Sequence, residues 1–390
     1  MPYPTFRSFL GVAKDAIATS LSASVAAAAT TITVVGTSVP ASSTVFIWDG
    51  PSSESRAVTA GGGTSTLTVA ALTYAHPANV YVTAQLTASL GPTDYIPVTS
   101  IDPEDTYADL EDKGWRGSIV DTYGIVQGPA HSEVSMAGDC FPDTIGYLVG
   151  SILGATDFTG GSPATHTFSV KNTTDGLPTA YTLYDGNSGL VTRGYPSQRA
   201  SELSFKFNGE GLLTWSAKTV GIASGIVANP TTSYSTVMPS AAWTGLVTIA
   251  GSAVNTFVDG DLSIKRPVSV IQSLDTTQHP YKIYSGPVSV DGKLSFVMED
   301  ETELARMLSN TQPTLDIYFT TGTGASQAAI RFHCNKAAYR TAKPNRGKDY
   351  VQLDVGFQGL ANTTDATTAG TGYSPIKVTV LNSKATGVYT

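Results

Sequence analysis

Hydrophobic and polar residues alternate with a period of two along much of this chain. Leu203, Phe205 and Phe207 form one such run, Val351, Leu353, Val355 and Phe357 a second, and Ile376, Val378 and Val380 a third. Successive side chains of a strand point to opposite faces. Each run therefore predicts a strand with one buried face and one face against water or a partner. Gly and Pro punctuate the runs at short intervals, as the turns of antiparallel sheets require. Two segments carry helical spacing instead. Ile145, Leu148, Val149, Ile152 and Leu153 follow the i, i+3, i+4, i+7, i+8 rule, with Pro142 expected in the first turn and Gly154 just past the end. The second is expected over about residues 301–309, with Leu304, Met307 and Leu308 on one face. Asp300 as N-cap and Glu303 three residues later resemble a capping box, and Pro313 lies beyond the end. Both helices are short and one-sided, suited to covering one sheet. The pattern predicts an all-β chain with minor α content.

The same pattern divides the chain. Residues 18–84 read as a small β-module of their own. Ile32, Val34, Val45, Ile47, Val58, Leu67, Val69, Val80 and Val82 lie in short Thr-rich runs there, separated by Gly61-Gly62-Gly63 and Asp49-Gly50-Pro51. This stretch has no Lys and one Arg, Arg56, unlike the rest of the chain. The remainder suggests an internal repeat. Gly128-Pro129 precedes the Val134/Met136 strand, Asp139 and the first helix; Gly286-Pro287 precedes the Leu294/Phe296 strand, Asp300 and the second helix. Each helix leads to β-runs that end in a strongly alternating strand. With the Gly/Ala/Ser/Pro-rich stretch 221–241 as boundary, the expected organisation is a first domain of residues 1–17 and 85–225, the inserted module 18–84, and a second domain 226–390.

Composition narrows the function. Of 390 residues only 14% are charged, against roughly 25% in ordinary soluble domains. The uncharged surface that results can be buried in an assembly. A net charge of −8 argues against sequence-independent binding to nucleic-acid phosphates. Cys140 and Cys334 lie far apart without CxxC spacing, so a disulfide framework and a zinc knuckle are excluded and two buried free thiols are expected. No run reaches the ~18 apolar residues of a membrane helix. Residues 16–36 lack charge, but Asp15 and the interspersed Ser and Thr argue against an export signal.

Catalytic chemistry is hard to find. No nucleophile elbow, zinc-protease, Walker or EF-hand pattern occurs, and Gly209-Glu210-Gly211 lacks the third glycine of a dinucleotide loop. His76, His131, His166, His279 and His333 are scattered without metal-ligand spacing. No enzyme activity, metal or cofactor is expected. The densest polar feature is acidic: Asp102, Glu104, Asp105, Asp109, Glu111 and Asp112. It reads as a solvated loop, a calcium site or a contact between subunits. For the last, the basic segment Arg331, Lys336, Arg340, Lys343, Arg346 and Lys348 is the natural partner, because complementary charge sets register between subunits. A different class stays open beside it: a carbohydrate-binding or adhesin β-sandwich, its 18 tyrosines stacking on sugars.

One set of motifs carries a family resemblance. The stretch from Asp94-Tyr95-Ile96-Pro97-Val98 through Ile101-Asp102-Pro103-Glu104-Asp105 to Glu111-Asp112-Lys113-Gly114-Trp115-Arg116-Gly117-Ser118 resembles the major tail tube proteins of long-tailed (siphovirus-type) bacteriophages infecting actinobacteria. Asp261-Leu262-Ser263-Ile264-Lys265-Arg266-Pro267, Asn310-Thr311-Gln312-Pro313, Gly347-Lys348-Asp349-Tyr350-Val351 and Gly372-Tyr373-Ser374-Pro375-Ile376-Lys377-Val378-Thr379 fit the same pattern. The likeness covers residues 1–17 and about 85–390; the module, entering after Arg7-Ser8-Phe9-Leu10-Gly11, departs from it. The resemblance implies a β-sandwich or partial barrel flanked by a helix, here doubled in tandem. It implies subunits that close into rings and stack into a tube in the virion tail, assembled in the host cytoplasm, through which double-stranded DNA passes. Its partners would be copies of itself, a tape-measure protein, a tail terminator and distal tail proteins, with no membrane. Trp115 and Arg116 join the candidate assembly residues on this ground. Doubling favours a ring of three chains over one of six, and the module is expected outside the tube.

Overall fold

The computed structural model describes residues 8–15, 17–36, 39–85, 91–187, 191–274, 277–347 and 349–389. Its centre is an antiparallel run of eight strands: β1 (Ser100–Asp112), β2 (Gly124–Asp139), β3 (Thr192–Asn208), β4 (Thr214–Gly221), β5 (Phe257–Lys265), β6 (Ser289–Val297), β7 (Ala337–Asn345) and β8 (Gln352–Gly359). They lie in the order β1-β2-β4-β3-β5-β6-β8-β7. The first four and the last four thus follow one scheme. Helix α1 (Ile145–Leu153) comes after β2 and helix α2 (Thr302–Leu308) after β6.

The correspondence extends to single residues. Met136 of β2 faces Ile101 and Ala217; Leu294 of β6 faces Gly260 and Val355. β3 slips one residue against β4 between Ala200 and Glu202, and β7 slips against β8 between Tyr339 and Thr341. Such bulges bend a strand at a set point. Past the Gly128-Pro129 irregularity, residues 109–112 pair with 124–127; ahead of Gly286-Pro287, residues 268–271 pair with 282–285. Each half therefore ends in a hairpin arm, and both arms leave the sheet at the end opposite the helices.

Period-two alternation places the apolar set on one face. Leu203, Phe205, Phe207, Leu262, Ile264, Leu294, Phe296, Leu353, Val355 and Phe357 are all buried, each stabilising the fold by about 1.5–3 kcal/mol. They pack against a second sheet, ordered Gly154–Thr159, Ala164–Val170, Lys377–Asn382, Ala328–Cys334, Leu315–Thr321, Leu246–Ile249 and Ser252–Ala253. Phe205 meets Phe332 at 4.6 Å between ring centroids, and Phe207 meets Phe319 at 5.4 Å. The late strand Lys377–Asn382, which holds the Val378/Val380 alternation, pairs on one side with Ala164–Val170 and on the other with Ala328–Cys334. One continuous core consequently runs under both halves.

The first half carries extra structure. β3 continues past β4 to pair with Tyr181–Asn187, which pairs with Ser8–Lys14, which pairs with Asp94–Ile96. The chain leaves this platform after Ser8–Lys14 and returns to the neighbouring strand Asp94–Ile96. Between them lies a six-stranded sheet with its own core, including Ile32, Val45, Ile47, Leu67, Val80 and Val82. Trp48 fixes this module to the body. A Cβ at Gly194 would come within 2.7 Å of its ring and one at Gly225 within 3.0 Å, so only glycine admits the indole at these two places. Its Nε1 donates to Thr83 Oγ1 at 2.8 Å.

Both helices form, with corrections. Every residue of α1 is buried, and Gly154 ends it at φ +91°, the left-handed conformation glycine reaches without strain. Pro142 lies ahead of the helix and not in its first turn, because Thr144 and Ile145 both donate to the Phe141 carbonyl and close a separate turn there. In α2 the N-cap is Glu301, while Asp300 accepts from the Thr302 N–H at 2.8 Å. Glu303 does not complete a capping box: it pairs with Arg306 at 3.0 Å and accepts from Tyr339 Oη at 2.7 Å. Leu308 is 74% exposed, so the expected apolar face of α2 is only partly covered.

Candidate assembly interface

Among the described residues β1 pairs only with β2 and β7 only with β8, so these are the two free edges of the central sheet. A free edge offers unpaired N–H and C=O groups to any chain, and proteins blunt such edges with charge and proline. β1 carries Asp102, Pro103 and Glu104; β7 carries Arg340, Lys343 and Pro344. One edge is acidic and the other basic.

Two pairs of charges meet across the strands in the middle of the sheet. Lys265 reaches Asp291 at 3.0 Å and Lys293 reaches Asp354 at 3.6 Å. The hydrogen bond that Lys265 donates to Asp291 raises the lysine above its ordinary pKa. Burial raises the Asp261 carboxyl, although Lys206 and Lys293 oppose the shift. At the edges the situation differs. Asp102, Glu104, Lys343 and Arg346 are exposed, and none makes an ion pair among the described residues.

The remaining candidates fall in four places. Asp105 turns inward, accepts from the Ser224 N–H at 2.8 Å and lies 3.6 Å from Arg193. Arg331 stands on the second sheet, where it donates to both carboxylate oxygens of Asp316 at 2.8 and 2.9 Å. Both are thus engaged within the chain. Lys336 is exposed at the start of β7, and Arg340 donates to Gln358 Oε1 at 3.0 Å. Asp109, Glu111, Asp112, Trp115 and Arg116 belong to the first arm. Glu111 pairs with Lys113 at 2.7 Å, Asp112 with Arg116, and Arg116 lies 4.8 Å from the centre of the Tyr123 ring. Trp115 is fully exposed. Lys348 lies outside the described residues.

Sequence reasoning missed the apolar contribution. The first arm exposes Leu110, Ile119, Val120, Ile125 and Val126, and the second exposes Leu274 and Tyr281. Leu212, Met238 and Trp243 are exposed at the opposite, helix-bearing end. The signal was present in Ile119-Val120 and Ile125-Val126, consecutive apolar pairs that fit no one-sided strand.

The exposed face of the central sheet is polar throughout. It presents Asp102, Glu104, Glu133, Glu202, Asp259, Asp261, Asp291 and Asp354 against Lys206, Lys218, Lys265, Lys293, Arg340 and Lys343, with Ser and Thr between. Carboxylates are in slight excess. Such a surface repels phosphates weakly. The two thiols, Cys140 and Cys334, are free and buried, and burial pushes both well above the usual range.

A family model for phage tail tube protein matches residues 109–359, from the first arm through β8 and across both halves. No curated protein matches the chain.

Proposed function

Since the chain belongs to the phage tail tube protein family, a non-enzymatic structural family of the virion tail, we propose that it closes rings by pairing the β7 edge of one subunit with the β1 edge of the next. The single observation that carries this reading is the eight-stranded sheet with two unpaired, oppositely charged edges. Closing it removes both edges at once. The exposed polar face then lines the channel, where its slight negative excess lets DNA slide without adhering.

The matched halves support an origin by tandem duplication, with residues 1–17 and 85–225 as one tail-tube unit and 226–390 as the other. Three chains then supply six units, and the ring is a trimer of sixfold appearance. Rings stack head to tail. The arm end, with Trp115, Ile119 and Val120, meets the helix end of the next ring, with Leu212, Met238 and Trp243. Two different apolar ends on one subunit are what a heterologous, repeating contact needs. The tail is of the long siphovirus type, a reading supported by the motif likeness to actinobacteriophage tail tube proteins. Tape-measure, terminator and distal tail proteins are its other partners. The module 18–84 stands outside the tube, since its Trp48 anchor lies against Gly194, in the part of β3 that runs past β4, and against Gly225.

Electron microscopy of purified tubes tests the ring. Three chains per ring are expected, and strict sixfold symmetry with six chains would overturn the trimer.

A further inference from the structure

The join between the halves is already a finished example of the join the ring requires. Inside the chain, the last strand of the first half, β3, pairs with the first strand of the second half, β5. Between chains, the last strand of the second half, β7, would meet the first strand of the next first half, β1. We propose that the contact between subunits copies the β3–β5 register, which places Lys343 directly opposite Glu104 of the neighbouring copy. This rests on the edge-to-edge ring above and adds the register to it.

The mapping has no adjustable step. Aligning the two bulges sets Ser201 on Arg340, and hence Ser204 on Lys343 and Lys206 on Asn345. On the other side, Ser263 of β5 faces Asp291, while Glu104 of β1 faces Glu133. Asp291 and Glu133 hold the same rung relative to β8 and β4, so Ser263 corresponds to Glu104. Within the chain Ser204 faces Ser263, and their hydroxyls lie 2.7 Å apart. The copied rung therefore brings together Lys343 and Glu104, and its neighbour brings together Asn345 and Asp102.

Two independent observations agree with this register. It joins opposite charges that have no ion-pair partner among the described residues, where a shift by one residue would turn one of them to the other face. It also accounts for the bare first arm. The second arm lies across the start of β2: Gln278 accepts from the Ala130 N–H at 2.8 Å and donates to the Gln127 carbonyl at 3.1 Å. The place equivalent to Ala130 is Val288, and the segment equivalent to Gln278 is Ile119-Val120 of the next copy. Those residues are exposed in the single chain because their seat lies on a neighbour.

The test is disulfide trapping in the full-length protein. Cysteines at Glu104→Cys and Lys343→Cys are oxidised with copper phenanthroline in assembled tubes, and Asp102→Cys with Lys343→Cys serves as the shifted control. Ser204 and Ser263 come close enough that the equivalent cysteines fall within disulfide reach, and the native thiols are buried. The expected result is covalent oligomers several-fold more abundant for the first pair. Tubes that cross-link better through the shifted pair would overturn the register and leave the ring standing. Wild-type protein that never forms rings in the microscope would overturn the ring itself. A second variant guards against misfolding: Glu104→Lys and Lys343→Glu should each weaken assembly, and together restore it. Failure of the swap to rescue, with both singles folded, also overturns the pairing.

Discussion

The two halves of the central sheet share strand order, bulge position and arm, yet each is complete where the other is not. In the first half α1 is wholly buried. Tyr389 covers it, packing edge-on against Tyr147 at 5.0 Å and donating from Oη to the Asp143 carbonyl at 2.7 Å. A Cβ at Gly146 would come within 2.6 Å of the Tyr389 ring, so the lid needs that glycine. In the second half α2 has no such lid and no buried residue. The arms show the reverse. The second is held by Ala130 and by Arg199, which donates to the Ile283 carbonyl, whereas the first projects freely. Equivalent elements therefore differ in how far the rest of the chain covers them. Contacts that a tandem pair satisfies internally are finished in the monomer, and the rest are left as exposed charge and apolar surface.

The largest expected effect breaks this comparison at the open edge. Arg340→Glu with Arg346→Glu should abolish tubes seen by negative-stain microscopy, while circular dichroism and urea unfolding stay unchanged. Normal tubes would mean that the edges do not meet.

The helices come next. Ile152→Ala in α1 should cost about 2–5 kcal/mol in urea unfolding, and Leu308→Ala in α2 less than about 0.5 kcal/mol. Equal costs would show that α2 is as well covered as α1.

The module gives a smaller effect, with pH as its handle. His76 is buried between Asp49 and Glu54, at 2.9 and 2.8 Å. Burial alone would lower its pKa, but the hydrogen bonds and charges of the two carboxylates outweigh this and hold it above 6.5. A histidine raised on folding contributes stability that is full below its unfolded pKa and lost as pH rises through the folded one. Thermal stability of the wild type should therefore fall as pH rises above about 6.5. His76→Gln should be less stable by about 1–3 kcal/mol at low pH and flatten that dependence. An unchanged slope in the variant would assign the pH dependence elsewhere.

Smallest of all, removal of residues 18–84 should leave tubes intact, since the module has its own core and, among the described residues, pairs with no strand of the central sheet. Loss of tubes would place a ring contact on it.

Much of the fold was legible because it obeys local rules. The alternation at Leu203–Phe207 and Leu353–Phe357 named the buried face, since a strand's period of two leaves no other way to bury it. The paired Gly-Pro, strand and helix sequence anticipated the like order of elements in the two halves, and the apolar runs of 18–84 marked a separate core. The candidate site was legible only as composition. Acidic 102–112 and basic 331–348 could be singled out, but not that Asp105 and Arg331 are engaged internally while Glu104 and Lys343 stand on free edges.

What the sequence determined by itself was the strands and the facing of their side chains, both of which depend on neighbours a few residues apart. Tertiary structure alone decided the order β1-β2-β4-β3-β5-β6-β8-β7, and with it which strands are edges. Strand order is set by pairing between segments far apart in the chain, where side-chain patterns permit many partners. The shared core beneath both halves selects one of them.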